Sequence, residues 1–120
     1  MKMRALWLAL FVVCVACVTP KSPQAALADS EIALTSAVQT ADNYLASQCQ
    51  DAHSDACGKA LTWHVTMHAR AEAASSLLKA AHTSLDINDP AAMQSALSTA
   101  NSLIAQINSM VNAKLTKEVK

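Results

Sequence analysis

The sequence predicts an all-α fold: an antiparallel three-helix bundle behind an amino-terminal export leader. Three observations predict it. Ala, Leu, Ser and Gln dominate a chain with one glycine and 3% aromatic residues, a composition that favours helix over sheet. Apolar residues recur at steps of three and four in three successive stretches, which is the spacing of one helix face. Short polar breaks carrying cap residues separate those stretches, and short connections make neighbouring helices antiparallel.

The leader comes first. Met1-Lys2-Met3-Arg4 is a basic start, and residues 5–15 form an uncharged apolar run of 11 residues. That is the size of a signal-peptide core and too short to span a bilayer. The run ends Val15-Ala16-Cys17. A small residue just before a cysteine, at the end of a short apolar run, resembles the lipobox of bacterial lipoprotein signal peptides. The resemblance implies cleavage after residue 16 and lipidation of Cys17, with the membrane held through that anchor. The chain departs from the family pattern at Cys14, where an aliphatic residue is usual. Cys14 itself follows branched Val13 and is the poorer acceptor. A second reading takes Ala26-Leu27-Ala28 as an ordinary A-x-A cleavage site, which would release a soluble periplasmic or secreted protein starting at Asp29. That site lies ten residues past the apolar core and inside the first predicted helix. The third reading is an uncleaved anchor.

Removing the signal peptide, residues 1–16, leaves 104 residues, enough for one modest core. The expected layout is a lipidated cysteine and tether over 17–22, a helical domain over 23–117, and a tail over 118–120. The whole chain has nine basic and nine acidic residues. The leader carries Lys2 and Arg4, so seven basic residues face nine acidic ones in the mature part, a net of −2. That balance argues against a nucleic-acid partner, which needs a basic patch. Two of the four cysteines lie in the leader stretch. Once Cys17 is a thioether, Cys49 and Cys57 remain, and two thiols in an exported chain read as one disulfide. A metal pair is the alternative, and two further ligands at suitable spacing are not found.

The tether over 18–22 contains Thr19-Pro20-Lys21, and five extended residues reach at most ~17 Å. Ser22-Pro23 is a helix start, Ser as cap and Pro at the first helical position. The first helix is expected over about 23–48, with Leu27, Leu34, Val38, Ala41, Leu45 and Cys49 on one face. Residues 48–58 break the pattern, and Ser54 and Asp55 in that stretch are good helix caps. A Cys49–Cys57 bond would close a nine-residue loop, valued at roughly 2.5 kcal/mol by loop entropy. The second helix, about 57–85, has the cleanest period: Ala60, Trp63, Met67, Ala71, Ala74, Leu78, Ala81 and Leu85. Leu61, Val65 and Leu77 fall outside that stripe, so a second helix is expected over another face. Residues 86–89 are a turn, with Asp89 as cap and Pro90 at the first position of the third helix. That helix, about 90–115, shows Met93, Leu97, Ala100, Ile104, Ile107 and Val111 in threes and fours. Lengths of about 26, 28 and 26 residues correspond to roughly 40 Å each. Ala at many seam positions permits close approach and leaves a thin core, which favours association with a partner helix.

Candidate sites are few. His64, His68 and Glu72 follow one another at single helical turns, a spacing a metal can use. The position after His64 is Val65, where a zinc protease would carry Glu. The simpler reading makes both histidines boundary or surface residues, and makes His53 and His82 solvated. No serine sits in a nucleophile motif. Met67, Met93 and Met110 read as core. Lys114, Lys117 and Lys120 read as a solvated helix end, with charge that suits the helix dipole.

The whole layout resembles a family of small proteobacterial and prophage-encoded lipoproteins of unknown function. The residues that carry the likeness are the lipobox, the Thr19-Pro20-Lys21-Ser22-Pro23-Gln24 tether, the Ala-rich helix, the two-cysteine loop and the helix opening on Asp89-Pro90. The family brings no catalytic residues. A more distant likeness is to the murein lipoprotein, which is helical and attaches to peptidoglycan through a C-terminal lysine. Lys120 matches by position only, since Glu118-Val119 replaces that family's Tyr-Arg. Val18 follows the lipidated cysteine where the inner-membrane retention signal is Asp, which implies the outer membrane. The expectation is a non-enzymatic, lipid-anchored helical module on the periplasmic face, without a cofactor. Its partner would be another envelope protein or a second copy of itself. If phage-derived, it would modify a receptor or assist lysis. The alternative is a small metal or ligand carrier using the histidine flank.

Overall fold

The computed structural model describes residues 22–118. The leader, Cys17, the tether through Lys21, and Lys120 lie outside the described residues, so the expectations attached to them do too. Helix α1 spans Pro23–Gln48, α2 spans Asp55–Asp86 and α3 spans Pro90–Glu118. Each helix packs on both of the others, so the chain forms an all-α three-helix bundle.

The helix boundaries follow from caps. The Ser22 hydroxyl accepts the Ala25 N–H at 3.2 Å, and Pro23 occupies the first turn. The Ser54 hydroxyl accepts the Cys57 N–H at 3.1 Å. Ser54 is therefore the cap, and α2 starts at Asp55 rather than at residue 57. The α2 C-terminus closes with Asn88 in the left-handed region at φ 56°. The Asn88 N–H reaches the Leu85 carbonyl and the Asp89 N–H reaches the Ser84 carbonyl, the paired bonds of a Schellman stop. Asp89 then caps α3, its Oδ1 accepting the Ala92 N–H at 3.1 Å. Helix α3 runs on to Glu118, past the expected end at residue 115, with Lys117 in its last turn where positive charge suits the dipole.

The bundle axis is set by pairs of residues that touch. Glu31 meets His82 and Asp42 meets His64, so α1 and α2 are antiparallel. Ser30 meets Asn101 and Pro23 shares a hollow with Met93, so α1 and α3 run side by side in the same direction. The start of α1 and the α2–α3 turn share one end, where Pro23, Leu85, Asn88 and Met93 line a common hollow. The 49–54 connection lies at the other end.

The core is narrow and built from small residues. Ala37, Ala41, Ala71, Ala74, Ala81 and Ala100 are buried between the helices. Leu27, Met67 and Ile107 are the largest side chains fully enclosed. Each contributes on the order of 1.5–3 kcal/mol through burial. All six positions of the α3 stripe are buried. On α2, Ala60, Met67, Ala71, Ala74, Leu78 and Ala81 are buried, with Trp63 and Leu85 half-buried at its ends. On α1 the centre of the face is Leu27, Ser30, Leu34, Ala37, Ala41 and Tyr44. Val38, Leu45 and Cys49 are only half-buried, on the flank toward α2. The buried Ser30 hydroxyl lies 2.7 Å from Asn101 Oδ1 and 3.0 Å from the Ala26 carbonyl oxygen, so its burial leaves it hydrogen-bonded.

One expectation divides. Leu77 is half-buried against the core, as a second covered face would require. Leu61 and Val65 are not covered: they are 47% and 67% exposed. Leu61 borders the hollow between α1 and α2 at the disulfide tip.

Candidate functional site

The α1/α2 face is where the chain's chemistry gathers. At the tip, Cys49 and Cys57 are bonded with their Cα atoms 4.6 Å apart. Cys49 caps the end of α1 and Cys57 sits in the first turn of α2, 2% exposed. The bond therefore closes the corner between two helices. About one and a half turns further in, the Tyr44 and Trp63 rings meet edge to face, centroids 5.3 Å apart and planes at 77°.

Two imidazole–carboxylate pairs brace the seam. His64 Nε2 lies 2.6 Å from Asp42 Oδ1, and His82 Nε2 lies 2.5 Å from Glu31 Oε1. His64 and His82 are separated along α2 by roughly 27 Å at 1.5 Å per residue. The braces thus tie α1 to α2 near both ends. The His64 side chain is 18% exposed, against 48% for His82. The His82 partner on α1 is invisible in the sequence around His82.

The candidate ligand trio separates by partner. His64 points to Asp42 on α1, while His68 Nε2 lies 3.5 Å from Glu72 on its own helix. The two imidazole rings stack with centroids 5.8 Å apart. Among the described residues no group of three or more His, Cys, Asp or Glu is placed to hold a metal ion. His53, in the connecting loop, is exposed, and its backbone N–H donates to Asp51 Oδ1 at 3.0 Å.

Between these braces runs an open groove of about 550 Å³, floored by Leu34, Val38 and Ala71 and edged by Gln39, His68 and Glu72. It continues past Glu31 and Lys79 toward one end of the bundle and past Ala46 and Leu61 toward the disulfide tip. Four large apolar side chains stand exposed among the described residues: Ile32, Leu61, Val65 and Ile87. Ile32 stands beside Thr35 and Gln39 on the α1 side of the groove, Leu61 lines the groove's tip, and Val65 follows one turn along from Leu61. Ile87 is in the α2–α3 turn.

No helix among the described residues is long and apolar enough to cross a membrane. No protein-family model, curated protein or solved structure matches the chain.

Proposed function

We propose that this chain is a lipid-anchored helical interaction protein of a bacterial envelope, held through Cys17 at the periplasmic face of the outer membrane. It acts by binding rather than by catalysis. The observation that carries the binding role is the α1/α2 face, where an open groove floored by Leu34, Val38 and Ala71 runs toward the exposed Leu61 at the disulfide tip. Scattered single apolar residues need no explanation, whereas a cluster rimmed by polar groups marks a contact surface.

The compartment rests on two supports. The basic start, the 11-residue apolar run and Ala16-Cys17 have the form of a lipoprotein leader. The Cys49–Cys57 bond fits an oxidising space. Cleavage before Asp29 is disfavoured, because it would remove the first turns of α1 and with them Leu27, which is fully enclosed. Helix α1 begins six residues after Cys17, so a folded domain on that tether stays close to the lipid surface. The likeness to prophage lipoproteins adds receptor modification or assistance in lysis as the roles to try first. Membrane fractionation with a fatty-acid label, followed by crosslinking from the labelled membranes, tests the reading. A soluble, unlabelled chain would sink it.

A further inference from the structure

The two rims of the α1/α2 groove are complementary to each other, level by level. At the Pro23 end, Glu31 of α1 and Lys79 of α2 border the same hollow. At mid-height, Asp42 of α1 stands level with His64 of α2, to which it is bonded, and His68 follows one turn along the same groove. At the disulfide tip, Ala46 of α1 stands level with Leu61 of α2, and Val65 follows Leu61. A two-fold axis running along the bundle preserves these levels and exchanges the rims. The α1 rim of one copy then meets the α2 rim of the other. Glu31 faces Lys79, Asp42 faces the His64–His68 flank, and Ala46 faces Leu61. An axis across the bundle inverts the levels. It sets α1 on α1 and α2 on α2, Glu31 against Ala46 and Lys79 against Leu61, and burying unpaired charge on apolar surface is costly.

We propose that the chain pairs with a second copy of itself through this groove, two helices from each copy, with both amino-terminal ends pointing the same way. The interface is isologous, so every contact occurs twice. Leu61 and Val65, which no element of their own chain covers, are covered by α1 of the second copy. The common direction rests on the anchored reading above. Lipids at Cys17 orient neighbouring copies alike and raise their effective concentration in the membrane plane.

The test uses the full chain, extracted from membranes in detergent, with its mass measured by sedimentation equilibrium. The expected mass is that of two chains. Leu61→Glu with Val65→Glu gives the mass of one chain with helicity unchanged, since both positions are exposed within the single bundle. A charge exchange isolates the contact between copies. Glu31→Lys alone sets Lys against Lys at both symmetric contacts, and Lys79→Glu alone sets Glu against Glu. Mixed in one membrane under different tags, the two variants form Lys–Glu contacts at both positions. Mixed pairs therefore outnumber same-variant pairs, an outcome that contacts within one chain do not produce. A single-chain wild type overturns the proposal, and so does a two-chain mass that survives both glutamates. Equal recovery of mixed and same-variant pairs, or a stoichiometric complex with a different protein lost on Val65→Glu, also overturns it. A chain that carries no fatty acid yet has the two-chain mass removes the anchor and leaves the pairing. A lipidated chain with single-chain mass does the reverse.

Discussion

Tyr44 and Trp63 lie edge to face across the α1/α2 seam, 5.3 Å between centroids, about one and a half helical turns from the Cys49–Cys57 bond. Tyr44 is 7% exposed. The corner between the two helices is thus held twice, by a covalent bond at its apex and by an aromatic contact beneath it. A double-mutant cycle with Tyr44→Ala and Trp63→Ala should return a coupling of about 0.5–1.5 kcal/mol, the range for an edge-to-face pair beyond its area burial. Chemical denaturation of the four proteins measures it. Strict additivity would mean that the rings merely share a location.

Because the buried faces of all three helices pack into one core away from the tip, reduction of Cys49–Cys57 should leave the helices formed. The loop-entropy contribution of a nine-residue ring is at most about 2.5 kcal/mol. A domain of this size should then lose several degrees of melting temperature while its helical circular dichroism at room temperature is retained. Collapse of the helical signal on reduction would show that the Ala-rich core does not hold by itself.

Leu78 is 3% exposed in the middle of the seam, and Leu61 is 47% exposed at the groove rim. Leu78→Asp buries an uncompensated carboxylate and should cost several kcal/mol, enough to unfold the bundle. Leu61→Asp should change stability by less than about 1 kcal/mol. Thermal melts compare them, and equal damage would contradict the helix phase.

Cys17→Ser should block lipid attachment and leave a precursor that retains residues 1–16. Labelling with a fatty-acid analogue and intact-mass measurement check both parts. A wild-type chain that is unlabelled and begins at Asp29 would replace the lipoprotein reading with secretion.

The fold was legible where one residue class dominates a face. The α3 stripe from Met93 to Val111 is all apolar, and every member is buried. On α1 the buried face also follows alternating steps of three and four, but Ser30 interrupts it chemically and Ala37 adds little hydrophobic signal. The apolar pattern therefore leaned toward Val38 and Leu45, which lie on the flank toward α2. Ser30 is tolerated inside because Asn101, on another helix, meets its hydroxyl. The site was less legible. The His64–His68–Glu72 spacing is a property of one helix, but what those groups bind depends on how a second helix is rotated against it. Asp42 lies 22 positions from His64, and Glu31 lies 51 from His82. No local spacing rule reaches that far. The same blindness applied to Leu61 and Val65: an off-stripe apolar residue shows that something covers it, or that nothing does, only when the neighbours are in place.

The Cys49–Cys57 bond sits at the end of α1 opposite Pro23, and that placement has a mechanical meaning. A pull on the amino-terminal side enters the bundle at Pro23 and loads α1 like the free edge of a strip. Leu27 and the Glu31–His82 brace bear it first, then Leu34 and Ala41, then Asp42–His64. The covalent corner comes last. Helix α1 can peel from its neighbours one turn at a time, yet the two helices stay leashed at the tip, so a relaxed load finds both strips already aligned for closing.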